Sequence, residues 1–97
     1  MTSQVEVIAR AQAKPGKEDE LAKVLATAVA PTRKEAGCVV YRLCKTQTKG
    51  LFYFYEIWQS QAALDAHAAS DHLKVMKELA KDLLDGPTEV SLLAEID

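Results

Sequence analysis

A ferredoxin-like α+β fold, with four antiparallel strands and helices on one face, is predicted for this 97-residue chain by three observations. Segments of period two and of period 3.6 follow one another in the order β-α-β-β-α-α-β. The stretch Leu51-Phe52-Tyr53-Phe54-Tyr55-Glu56-Ile57-Trp58 holds five of the six aromatic residues and is apolar on both faces except at Glu56, the signature of a central, doubly covered strand. Between the second and third strands lies only Gln47-Thr48-Lys49-Gly50, a hairpin turn in which Gly50 can take positive φ.

The elements follow in order. From Val5 to Ala13 the chain alternates, with Val5, Val7, Ala9, Ala11 and Ala13 on one face and Glu6, Ile8, Arg10 and Gln12 on the other. Lys14-Pro15-Gly16 turns the chain. A helix is expected over 17–30, where Leu21, Val24, Leu25 and Ala28 form one stripe and Glu18, Asp19 and Glu20 suit the positive end of the macrodipole. Pro31 predicts a kink, with a further turn through Glu35 before Ala36-Gly37. The second strand runs from Cys38 to Thr46, with Val39, Tyr41 and Leu43 on one face. After the aromatic strand, Ser60 is a helix N-cap for a short helix to Ala69 in which Leu64, His67 and Ala68 face inward. Ser70-Asp71 restarts a helix through Leu84, with Leu73, Met76, Leu79, Ala80 and Leu83 inward, stopped by Asp85-Gly86-Pro87. A last strand, Thr88 to Ile96, completes one domain over residues 1–97.

Composition excludes several classes. The chain is 48% hydrophobic and 27% charged with net charge −2, and its basic residues never cluster, so no nucleic-acid footprint is expected. No apolar run approaches the ~20 residues of a membrane span. The opening MTSQVEVIAR lacks signal-peptide features, so a cytoplasmic location is expected. Cys38 and Cys44, if in one strand, stand roughly 20 Å apart and cannot bridge each other. No CxxC or HxxxH pair supports zinc.

If Phe52, Phe54, Glu56 and Trp58 face the helices, then Leu51, Tyr53, Tyr55 and Ile57 lie on a sheet face with no helix to cover it. A second copy, sheet against sheet, is the expected partner.

The ordered set Pro15-Gly16, Glu35-Ala36-Gly37-Cys38, Tyr41, Phe52, Phe54-Tyr55-Glu56-Ile57-Trp58-Gln59-Ser60, Ala63-Leu64, His67, Ser70 and His72 resembles the antibiotic biosynthesis monooxygenase family, and its quinol-monooxygenase-like members in particular. The resemblance spans nearly the whole chain. It implies a dimeric α+β barrel and oxidation of a quinol or phenol-like ring by O₂ with no metal, flavin or haem as cofactor. Members that degrade haem carry a tryptophan where His67 aligns and a histidine where Lys77 aligns, so haem degradation is not expected.

Within that frame, His67 is a candidate general base, or else a core histidine bonded to Glu56 or a backbone carbonyl. Glu56 is a candidate base or orienting acid, or else a structural acid tying strand to helix. For substrate binding the candidates are Trp58 and Phe54, which can sandwich a flat ring, together with the Tyr41 hydroxyl and His72. Trp58 also suits core packing, Tyr41 a half-exposed sheet position, and His72 an exposed or capping role. Arg10 and Arg42 are candidates for an anionic substrate or a partner's acids. On one helix, His67 and His72 would point to different faces, and no metal site is expected from them. The implied mechanism is deprotonation near His67, electron transfer from phenolate to O₂, and recombination in a dry cavity. The alternative is a non-enzymatic, dimeric ligand-binding or stress-related protein of the same fold.

Overall fold

The structure, a computed structural model, describes residues 3–97. Its elements are β1 (Val5–Gln12), α1 (Glu18–Ala26), α2 (Val29–Arg33), β2 (Cys38–Lys45), β3 (Leu51–Trp58), α3 (Gln61–Ala68), α4 (Asp71–Ala80) and β4 (Glu89–Leu93). The sheet order is β2-β3-β1-β4, all antiparallel, as a ferredoxin-like plan requires. β3 is central, paired with β1 from Val5↔Trp58 to Gln12↔Leu51 and with β2 on its other edge. Its alternation holds to the end: Phe52, Phe54, Glu56 and Trp58 are buried, and Leu51, Tyr53, Tyr55 and Ile57 are half-buried. β1 agrees, with Val7 and Ala11 in the core. Leu21, Leu25, Leu73, Met76 and Ala80 close that core from the helices.

Four expectations about the elements change. The long first helix divides before Pro31, not at it. Proline offers no N–H to the carbonyl of Thr27 and its ring crowds that carbonyl, so the helical ladder fails one turn upstream. There Thr27 and Ala28 bond the carbonyls of Val24 and Leu25, both at 3.2 Å, in a tightened turn. Second, α4 stops at Ala80, because the amides of Leu83 and Leu84 both return to the Ala80 carbonyl, at 2.9 and 3.2 Å. The chain then docks on the end of β1, where Lys14 N–H donates to the Leu83 carbonyl at 2.9 Å. Leu79, expected inward, is 55% exposed, since the stripe actually buried is Leu73, Met76 and Ala80. Third, a bulge between Cys38 and Val40 turns Val39 outward, while Tyr41 is buried at 2% exposure instead of standing half-exposed on a sheet face. Fourth, β4 pairs only from Glu89 to Leu93 and every residue in it is exposed. On that edge Val5, Ala11 and Gln12 of β1 stay unpaired with β4.

Two glycines set how the helices meet the sheet. Gly50, at φ 79°, closes the hairpin under α1, where a Cβ would fall 2.8 Å from Glu18 Cγ. Gly37 lets α3 approach: a Cβ there would lie 2.2 Å from the Ala63 Cβ. The Gly37 carbonyl also accepts from Gln59 N–H at 2.9 Å. Among the described residues no helix is long and apolar enough to cross a membrane.

Candidate functional site

Ser60 places the site. Its hydroxyl accepts the Ala63 N–H at 3.1 Å and starts α3 as the sequence indicates, which brings His67 round to the sheet near the end of the helix. Ser70 behaves differently. Its hydroxyl donates to the His67 carbonyl at 2.7 Å and lies 3.2 Å from His72 Nε2, so it ties the end of α3 to the start of α4 and leaves the first turn of α4 without a side-chain cap.

His67, 4% exposed, sits among two acids and several rings. Its Nδ1 is 2.8 Å from Glu35 Oε2. A carboxylate only accepts, so Nδ1 carries the hydrogen, and in the neutral ring Nε2 then holds the lone pair. Nε2 faces Glu56 Oε1 at 4.0 Å, beyond hydrogen-bond range. The imidazole lies against Trp58, ring centres 4.6 Å apart and 31° between planes, and edge-on to Tyr41 at 5.3 Å. Glu56, 4% exposed, accepts the Trp58 indole N–H at 2.9 Å. Burial pushes the Glu56 carboxyl above its ordinary value; the indole bond and nearby His67 oppose that only in part.

A cavity of about 140 Å³ opens between the sheet and the helices. Val7, Ala11 and Phe54 line it from the strands, and Leu64, Leu73 and Met76 from α3 and α4. Tyr41, Glu56 and His67 supply polar edges. Apolar cavities near ~150 Å³ take a benzene-sized ring. The hydroxyls of Tyr41 and Thr32 are buried neighbours that lack a well-formed hydrogen bond. Burial, with Glu56 second, holds the Tyr41 hydroxyl well above the usual phenol range, so it stays neutral. Arg10 reaches the cavity and lies 3.8 Å from Glu89, whereas Arg42 is exposed on β2 and does not line it.

The structure therefore brings together His67, Glu56, Phe54 and Tyr41 of the expected site residues. Trp58 and His72 stand outside the cavity wall. Trp58, fully buried, spends its indole on Glu56 and its face on His67, which leaves no face for a bound ring. His72 also turns from the cavity, its Nε2 2.8 Å from Glu35 Oε2. As the restart at Ser70-Asp71 indicates, the two histidines lie on separate helices, and there they converge, with ring centres 6.2 Å apart. Glu35, His67 and His72 thus present ligand atoms within 4.8 Å of one another, the residues here that could hold a metal ion. The local sequence marks Glu35 only as the end of a helix, although it opens the motif Glu35-Ala36-Gly37-Cys38. Its role comes from contacts 32 and 37 positions away, which no local pattern displays.

Comparison with known proteins places these features in context. Residues 4–79 match the family model described as antibiotic biosynthesis monooxygenase. The chain is 36% identical over 97 residues to the Mycobacterium tuberculosis protein named "Putative monooxygenase Rv0793", covering all of this chain and 96% of that one. The solved structure of Rv0793 superimposes with a TM-score of 0.90 at 35% identity, over 98% of this chain and 97% of that chain. PA3566 from Pseudomonas aeruginosa superimposes with a TM-score of 0.90 at 32% identity, over 100% and 98% of the two chains. A Synechocystis protein, sll1783, is 34% identical over 80 residues, which are 81% of this chain and 54% of that protein, so the match spans about half its length.

Proposed function

The chain belongs to the antibiotic biosynthesis monooxygenase family, and from that premise we propose that it oxidises a quinol or phenol with O₂, using His67 as the base and no cofactor. The observation that carries this reading is the setting of His67: Glu35 lies against Nδ1, Nε2 on the other edge faces Glu56, and both His67 and Glu56 line an apolar cavity the size of one aromatic ring. A ring inserted between Phe54 and Met76 brings its hydroxyl toward Nε2. Nε2 takes the phenolic proton, and the phenolate, richer in electrons than the phenol, reduces O₂ by one electron. The resulting radicals combine at a ring carbon to a hydroperoxide, which loses water. A hydroquinone and O₂ give a hydroxyquinone and one water, with one oxygen atom in each product. Glu56 borders the acceptor as a group held toward its neutral form by burial, which lessens repulsion of the phenolate. A packed core without a void would have favoured the non-enzymatic alternative; the cavity favours a bound ring.

The test is an oxygen electrode with metal-stripped protein and a panel of substituted hydroquinones. Uptake above the autoxidation blank, unchanged by chelator, is the expected result. Loss of activity on adding chelator would refute the cofactor-free reading.

We also propose that a second copy covers the half-buried side chains of β3 and the fully exposed β4, where Val90 is 61% and Leu92 55% exposed. Light scattering at micromolar concentration is expected to give twice the mass of the chain. A stable monomer there removes the dimer from the account.

A further inference from the structure

We propose that Glu35, His67 and His72 form a binding site for one divalent transition-metal ion of the zinc, cobalt or nickel class, and that its occupation switches the base off. The donors are His67 Nδ1, His72 Nε2 and Glu35 Oε2, with both nitrogens 2.8 Å from that oxygen. Ligands around an ion at ~2.1 Å stand about 3–4 Å apart, so small side-chain movements admit one. The three residues come from different places in the fold: the segment after α2, the last turn of α3 and the first turn of α4. Two imidazoles and a carboxylate, with no thiolate among them, suit zinc, cobalt, nickel or iron. Glu35 and His72 are partly exposed, at 17% and 26% of their side chains, so an ion can reach the site from solvent without entering the cavity. The hydroxyl of Ser70, 3.2 Å from His72 Nε2, is a fourth polar atom at the same place.

An outer partner lies nearby, a movement of about 1 Å short of a hydrogen bond. A metal-bound histidine typically donates its other N–H to a carboxylate, and Glu56 Oε1 lies 4.0 Å from His67 Nε2. Coordination through Nδ1 displaces its proton. A neutral ring then carries the hydrogen on Nε2, directed at Glu56, and has no lone pair for a substrate proton. The His72 hydrogen moves in the same way from Nε2 to Nδ1, so both rings stay neutral. Binding itself stands on the three donors alone. The switch rests on the base reading of the preceding section.

The experiment is a titration of the metal-stripped protein with Co²⁺, read by visible absorption, followed by displacement with Zn²⁺. One ion per chain is expected, with d–d bands and no sulfur-to-metal charge-transfer band, since Cys38 and Cys44 take no part. Glu35→Gln and His72→Ala, checked for native circular dichroism, are each expected to weaken Co²⁺ binding at least about tenfold. Asp65→Asn, on the exposed side of α3, is the comparison variant and should match wild type. Absent d–d bands at millimolar Co²⁺, or equal affinity in wild type and His72→Ala, would overturn the site. In the oxygen electrode, Zn²⁺ at saturation should stop uptake by wild type and not by His72→Ala. Zn²⁺ bound with uptake unabated would overturn the switch and leave the site standing. Co²⁺ binding by a protein that consumes no O₂ with any quinol would overturn the base reading, and the switch with it, but not the site.

Discussion

Replacing His67 with alanine is expected to slow oxygen uptake at pH 7 by roughly 10²–10⁴-fold, the usual worth of a positioned general base. The loss should shrink as pH rises toward the ordinary phenol value of ~10, where the substrate ionises in water and needs no base. KM should move little, because the ring is held by Phe54, Leu73 and Met76, not by the imidazole. That separates a base from a packing role: removing a wall residue would raise KM at every pH. The measurement is initial-rate oxygen uptake across the pH range, with circular dichroism to confirm that the variant folds. A profile that superimposes on wild type makes His67 structural only.

Gly37→Ala is expected to cost about 1–3 kcal/mol of stability and most of the activity. The added Cβ would meet the Cβ of Ala63 at 2.2 Å, and both atoms are anchored to backbone, so no rotamer relieves the overlap. The first turn of α3 has to retreat. Ser60 and Gln59 hold that turn to the sheet, and His67 rides about one turn further along the same helix. A shift of an ångström there carries Nε2 away from the cavity and Nδ1 away from Glu35. The compensating change is Ala63→Gly in the same chain, which removes the clash for roughly 1 kcal/mol of helix propensity. Thermal unfolding and oxygen uptake of the single and double variants check this. If the single variant melts with wild type, α3 is not seated on Gly37 as described.

The parts of the fold that the sequence displayed are those governed by local rules. The alternation of β3 named its buried face correctly because side-chain direction in a strand reverses at every residue. Ser60 announced α3 because capping needs only a hydroxyl three residues before a free N–H. The helix ends near Pro31 and Ala80 are still local matters of backbone bonding, but the positions of Leu79 and Val39 depend on contacts between distant segments. Leu79 belonged to an apolar pattern by spacing, yet packing against α1 selected a stripe on the other side of it. Val39 alternated properly until the bulge reset the register. The same division holds in the site. Glu56 was visible as the single acid in an apolar strand and His67 as an inward histidine. Trp58 was legible as a large ring but not as the donor to Glu56. The convergence of Glu35 with two histidines was hidden, since it takes three elements to assemble it.

The pairing of β1 with β3 bears on when this protein becomes competent. The hairpin of β2 and β3 closes a turn of only a few residues, from Lys45 to Leu51. Joining Gln12 to Leu51 instead encloses both early helices and all of β2, and costs roughly 2 kcal/mol more in loop entropy before any contact repays it. Val7 and Ala11 on β1 are walls of the cavity, and Glu56 faces Val7 across this seam. During synthesis, β1 leaves the ribosome long before its partner exists and must wait with its apolar face uncovered. A long closure between distant segments is thus the one that creates the cavity, and partly folded forms hold every residue of the site without holding a site.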